Sequence, residues 1–469
     1  MATSSPEQPR TLSLLATMAT STTTVPVTKA NHLCVLVHGL WGNPDHLKFA
    51  STSLRERYPE DKLHVLVAKR NAGNFTYDGA DTGGERVADE VEQKLDELAM
   101  AGHDITKISF TGYSFGGLIA RYAVGLLYHK GLFERIEPVN FTTFATPHLG
   151  TRTPLKGYHS HLWNVLGART LSMSGRQLFG IDKFRDTGRS LLSILADPES
   201  IFIQALAKFK HRSLYANVVN DRTVTYYTAG ISQTDPFVKP ELVKINYLPG
   251  YDNVIVDGEN PVSPKELEQP QAFAQRLTSG TQTILGRVAM TAFLVVFIPI
   301  GSTLYLMNSA VQHIRSSQRI RLHSEGRAGI DASRYRVPLM INAARQNVED
   351  MFENVNNGQG QDYLSAGSEE VASPTQPSSP GWTRKQLYSD VTSVEKPGKE
   401  DMVLEFPTLA LTQDQFKMIE ALDDVGFKKH PVFIHNHRHS HAAIIVRMDR
   451  KAFDEGRVVI KHWLDNFEL

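Results

Sequence analysis

The run Gly112-Tyr113-Ser114-Phe115-Gly116 constrains this chain more than any other feature. Its pattern, G-x-S-x-G, puts a serine on a sharp turn between a strand and a helix, with glycines where side chains would strike the adjoining strand and helix. Alone the pattern is weak, since a chain of this length meets it by chance about once in six cases. Its flanks supply the context. Lys107-Ile-Ser-Phe-Thr111 reads as a short buried strand, and Leu118 to Leu127 as a helix. Ser114 therefore falls where a strained turn exposes a hydroxyl, and is the candidate nucleophile.

The rest of the first half repeats this alternation. Leu33 to Val37, Leu63 to Ala68, Ile108 to Thr111, Asn140 to Ala145 and Ser213 to Val219 are short apolar runs bounded by turn residues, as buried parallel strands are. Between them, Gly84 to Met100 carries Val87, Val91, Leu95 and Leu98 at helical spacing. Strand and helix alternation predicts an α/β fold, a mostly parallel sheet with helices on both faces. With an elbow serine, the architecture expected is that of the α/β hydrolases, with a core over residues 31–275. Amphipathic material over residues 151–212, including Ser190 to Ala196 and Ile201 to Phe209, suits either an inserted lid or plain packing helices.

Candidate partners for Ser114 follow from the chemistry. His38-Gly-Leu-Trp-Gly42 comes directly after the first strand run, where a glycine loop aims backbone N–H groups at a developing oxyanion. The expected donors are Leu40 and the residue after the nucleophile, Phe115. In this fold the acid and then the base follow the serine along the chain. Asp221, in the loop after Ser213 to Val219, is the best placed acid, with Asp235 and Asp252 behind it. His148 precedes the acid, so chain order counts against it. The base is sought among His435, His437, His439 and His441, whose alternation would also suit a strand face holding a metal. No cysteine or carboxylate cluster accompanies them, so no metal and no organic cofactor are expected.

Val35 to Gly42, Phe75 to Arg86, Gly112 to Leu118, Phe144-Ala-Thr-Pro-His-Leu-Gly150 and Asn220 to Val224 together resemble a fungal serine esterase family whose members are lipid-droplet phospholipase- or lipase-like. The resemblance covers about residues 31 to 260 and again 425 to 447. It implies an α/β hydrolase acting on lipid esters. In that family a histidine followed by small and then branched apolar residues closes the triad, which falls here on His441-Ala-Ala-Ile-Ile-Val-Arg447, with His439 as the alternative base. Two positions depart from the family pattern. Tyr113 stands where histidine commonly precedes the nucleophile, and Thr225 where proline often follows the acid.

Val288 to Met307 is a stretch of twenty residues without a charge, long enough to cross a bilayer core of about 30 Å. Ser114 and Asp221 precede it and the histidines follow it, so a single crossing would part the triad. A hairpin bent at Pro299, with arms of roughly 15 Å, would return both ends to one face. Arg287 before it and Arg315, Arg319 and Arg321 after it would then meet anionic headgroups. A membrane-associated segment over residues 285–311 is the resulting expectation. It comes with a cytosol-facing enzyme at a lipid droplet or the endoplasmic reticulum, since Cys34 is the only cysteine.

Residues 1–30 read as a disordered leader and residues 354–400, rich in Gln, Ser, Pro, Gly and Glu, as a disordered linker. Residues 402–469 read as the C-terminal part of the hydrolase. With 50 basic and 50 acidic residues there is no net field to collect nucleic acid. The partner expected is a lipid substrate at a membrane or droplet surface. An acyltransferase using the same triad and a non-catalytic membrane scaffold are the competing readings.

Overall fold

The structure, a computed structural model, describes residues 30–151, 172–265, 303, 306–336 and 406–469. Along β1 (His32–Val37) every side chain is buried and successive ones serve opposite layers. Leu33, Val35 and Val37 join one apolar cluster, while Cys34 and Leu36 join another. A strand covered on both faces needs the continuous apolar run read from the sequence. β2 (Leu63–Val67), β3 (Lys107–Tyr113), β4 (Glu137–Phe144) and β5 (His211–Asn217) occupy the other four strand-like runs. All pair in parallel, in the spatial order β2-β1-β3-β4-β5 and then a sixth strand.

That sixth strand, Lys428–Val432, lies beyond the apolar stretch and pairs in parallel with β5, Ser213 opposite Lys428 and Asn217 opposite Val432. Between β5 and it the small strands β6 (Val243–Ile245) and β7 (Val262–Pro264) form a separate antiparallel pair, so the sixth strand of the main sheet is β8. Its sequence, Lys-Lys-His-Pro-Val, shows no apolar run. An end position tolerates this, because an end strand is covered less and Pro431 withholds a donor where one is least needed. The Val256 N–H donates to the Pro431 carbonyl at 2.9 Å, covering part of the open side.

Helices flank both faces. On one side lie α2 (Ala80–Met100), α3 (Phe115–His129), α6 (Ile201–Lys208) and α8 (Gln413–Val425). On the other lie α1 (Lys48–Arg57), α9 (Ser440–Ala443) and α10 (Asp454–Asp465), the last burying Val459, Ile460, Trp463 and Leu464. Two shorter helices, α4 (Ser172–Leu178) and α5 (Leu191–Leu195), complete the first layer, and α7 (Tyr226–Ala229) follows the acid loop. The architecture is that of an α/β hydrolase, a parallel sheet with helices on both faces. Residues 172–209 belong to its body: Leu191, Leu192, Ile194, Leu195, Phe202 and Leu206 are all buried in the main cluster. Of the two roles open for residues 151–212, packing helices describes this portion, while residues 152–171 lie outside the described residues.

The leader, the linker over residues 354–400 and most of Val288 to Met307 also lie outside the described residues. Among the described residues no helix is long and apolar enough to cross a membrane. From the last two residues of the uncharged stretch onward, residues 306–324 form a helix that docks on α2 and the turn before it through polar groups. Asp78, fully buried, accepts from Arg86 (2.8 Å), from Arg319 (2.7 Å) and from the Ser316 hydroxyl (2.7 Å), and Glu85 faces His323 at 2.7 Å. Arg319 is thus committed to an internal carboxylate, not to a headgroup, which corrects its expected place among the flanking cations. Asp78→Ala leaves two guanidiniums without their anion, and breaking a buried pair from one side costs about 3–5 kcal/mol. Chemical denaturation is expected to show a loss of that size.

Candidate active site

The chain runs from β1 outward to β2 and then back to β3 on the other side of β1, so the carboxyl ends of β1 and β3 flank the switch point where open α/β sheets hold ligands. Ser114 sits there, between the end of β3 and the first turn of α3. Its φ of 55° and ψ of −131° lie where a side chain is strained. The turn closes this tightly because Gly112 and Gly116 have no Cβ: one at Gly112 would strike the Gly117 backbone, and one at Gly116 the Val37 carbonyl. The Ser114 N–H donates to the Phe144 carbonyl (2.8 Å) and the Thr146 hydroxyl to the Ser114 carbonyl (3.0 Å).

Two residues far along the chain meet this hydroxyl. His441, in α9, places Nε2 2.9 Å from Ser114 Oγ and Nδ1 2.8 Å from Asp221 Oδ2. Asp221 lies in the loop after β5. Its Oδ1 accepts from the Thr223 and Val224 N–H groups (3.0 and 2.8 Å), and its Oδ2 accepts from Asn217 Nδ2 (2.9 Å). Burial pushes the Asp221 carboxyl up, but the facing His441 ring and these donors outweigh it and hold it below the usual range. It is an anion aimed at an imidazole. Nδ1 then carries the proton shared with Asp221, and Nε2 is left to accept the one on Ser114.

The Gly39 backbone abuts the nucleophile, since a Cβ there would lie 2.7 Å from Ser114 Cβ. This brings Leu40 and Phe115 to the same serine. Neither Leu40 N–H nor Phe115 N–H has a hydrogen-bond partner among the described residues. Phe115 opens α3, where N–H groups carry partial positive charge. Two free donors beside an activated hydroxyl suit an oxyanion.

The other candidates lie elsewhere. His439 is exposed, with its N–H donating to His437 Nδ1 at 2.9 Å, and His435 Nε2 lies 3.0 Å from the Asn253 carbonyl. The residues between β8 and α9 are not a strand, so the alternation does not line one face. Among the described residues no group of three histidine, cysteine or carboxylate side chains could hold a metal ion. Asp235 accepts from the Phe237 N–H, and burial pushes its carboxyl up to about 6. Asp252 is exposed in a turn. His148 is buried against Thr143 Oγ1 (3.0 Å), and burial, with Arg121 and Lys429 nearby, drives its pKa far below the ordinary value.

Several supports escaped sequence reasoning. The Tyr113 hydroxyl donates to the His441 carbonyl (2.9 Å) and its ring lies 5.2 Å from the imidazole, so the departure at 113 places a prop under the base. The Ser440 hydroxyl donates to the Val219 carbonyl (2.8 Å), tying α9 to the acid loop. Asn217, four residues before Asp221, had only its place at a strand end to mark it.

Comparison with known proteins follows this geometry. Residues 27–234 match the family described as "Putative serine esterase (DUF676)". This stretch of the chain is similar to that family. The chain is 31% identical over 244 residues to "Putative lipase ROG1" of Saccharomyces cerevisiae, a match covering 50% of this chain and 34% of that protein. It is 30% identical over 256 residues to "Putative lipase C4A8.10" of Schizosaccharomyces pombe, covering 51% and 31%. It thus spans about a third of the length of these curated relatives. Among solved structures, "RedJ with PEG molecule bound in the active site" is similar at 18% identity and a TM-score of 0.23, covering 45% of this chain and 80% of that chain.

Proposed function

We propose that this chain is a serine lipase that hydrolyses carboxylic esters of lipids, phospholipid or acylglycerol, at a membrane or lipid-droplet surface facing the cytosol. The observation that carries the reading is His441, which bridges Ser114 and Asp221 at hydrogen-bond distance from the far end of the chain. In the proposed mechanism His441, oriented by Asp221, takes the Ser114 proton as Oγ attacks the ester carbonyl. The Leu40 and Phe115 amides hold the oxyanion. His441 returns the proton to the leaving alcohol, and a water activated in the same way releases the acid from the acyl-enzyme. No step calls for a metal or an organic cofactor.

Support for a lipid comes from the uncharged stretch Val288 to Met307 and from the relatives' names, which describe them as lipases. The test presents the full chain with mixed phosphatidylcholine, phosphatidylserine and triacylglycerol emulsions and follows release of fatty acid. Loss of one ester class, absent with Ser114→Ala, is the expected result. Cleavage of short water-soluble esters with no lipid consumed would overturn the lipid assignment and leave the esterase.

A further inference from the structure

The helix over residues 306–324 is turned inside out. A surface helix of a soluble domain normally buries its apolar stripe and shows its polar face to water. Here the buried positions are Ser309, Gln312, Ser316 and His323, of which Ser316 is held by Asp78 and the Tyr77 carbonyl and His323 by Glu85. Leu306, Met307, Val311 and Ile314 point outward, each 43–63% exposed. The polar pairs to Asp78, just before α2, and to Glu85 within it decide this orientation, because rotating the helix would strip both carboxylates of their partners.

The apolar face continues on the body. Phe75, exposed at its edge, packs against the guanidiniums of Arg86 and Arg319, 5.0 and 5.2 Å from its ring centroid. Trp41, half exposed, packs on Tyr77 and follows Leu40 directly, so the row ends beside the proposed oxyanion donors. We propose that Leu306, Met307, Val311 and Ile314, with Phe75 and Trp41, form the surface by which the enzyme rests on a phospholipid layer, seating the mouth of the Ser114 site on that layer. The inference rests on the lipase reading and adds an orientation to it.

Two observations select lipid over a protein partner. The face takes up the uncharged sequence that begins at Val288, whose last two residues, Leu306 and Met307, already lie on it. Residues 303–324 hold no Asp or Glu, and the exposed Arg315 and Arg321 follow the apolar side chains, the order in which a helix passes from acyl chains to anionic headgroups. Trp41 at the rim suits the same boundary, where an indole keeps its body apolar and its N–H wet.

Cys34 is the only cysteine and is buried, so a single new thiol can carry a polarity-sensitive label. Ile314→Cys labelled with nitrobenzoxadiazole is expected to brighten and shift to the blue when vesicles of phosphatidylcholine and phosphatidylserine are added to the full chain. The same label at Glu97→Cys, at the far end of α2, is expected to stay aqueous. Unlabelled V311S/I314S is expected to lose on the order of 10²-fold in vesicle affinity, the burial of two branched side chains converted to a binding ratio. Both side chains are exposed, so this variant keeps its thermal stability. Protein that partitions onto vesicles while the Ile314 label stays aqueous and V311S/I314S binds as tightly overturns this surface and leaves the lipase reading standing. Protein that cleaves a soluble ester through Ser114 and never partitions overturns both.

Discussion

Ser114→Ala and His441→Ala are each expected to reduce kcat by about 10⁶-fold, and the double variant to be no slower than either single one. The non-additivity is the informative part. Oγ at 2.9 Å from Nε2 is a poor nucleophile until the imidazole takes its proton, and the imidazole has no other task in the acylation step. Removing either group therefore removes the same step. What remains is the proposed oxyanion site at Leu40 and Phe115, which would keep a residual rate above the uncatalysed one. Single-turnover kinetics of an activated ester with the three variants measure this, and a fluorophosphonate probe that tags the native chain leaves Ser114→Ala blank. Additive losses would mean that His441 acts elsewhere, and a tag persisting on Ser114→Ala would place the nucleophile at another residue.

The sequence disclosed the parts of this site that arise locally. An elbow is a contact between neighbours, so Gly112 and Gly116 mark it by composition alone, and strands covered on both faces show a continuous apolar run at β1 and largely apolar ones, broken by Ser, Thr and Asn, at β3 and β4. β8 escaped because it is an end strand whose Lys428, Lys429 and Pro431 answer to one neighbour only. The histidines at 435, 437, 439 and 441 were inseparable by pattern from the residues themselves. What separates them is that α9 begins at Ser440 and turns the ring of His441 inward, while His439, one residue before the helix, stays in solvent. Arg319 looked like a headgroup contact because its partner Asp78 lies 241 residues away. Long-range ion pairs leave no local trace, and the same pairs turned the helix over residues 306–324 apolar side out.

Asp221→Asn is expected to lower kcat by about 10⁴-fold, and by more than Asp221→Ala. The reason lies in how the carboxylate is held. Oδ1 accepts from two backbone N–H groups, Thr223 and Val224, whose directions are fixed by the loop. An asparagine must give its carbonyl oxygen to those donors, which leaves its NH₂ in the place of Oδ2, facing His441 Nδ1 and the Asn217 amide. Facing a donor, Nδ1 can only accept, so the ring proton moves to Nε2 and points at Ser114. The base is then in the wrong tautomer, with its geometry intact. Alanine removes the carboxylate without imposing that tautomer, so it costs the orientation of the ring but leaves Nε2 free to accept. The acid limb carries a matching sign. The Asp221 carboxyl is depressed in the folded chain, so its contribution to stability is present above the ordinary aspartate pKa of about 3.9 and fades only as pH falls through the lower folded value. Steady-state kinetics of the two variants between neutral pH and pH about 5, a range in which Asp221 stays ionised in the native chain, decide the matter. If Asp221→Asn were the faster of the two, the loop donors would not be fixing the carboxylate, and the tautomer argument would fail.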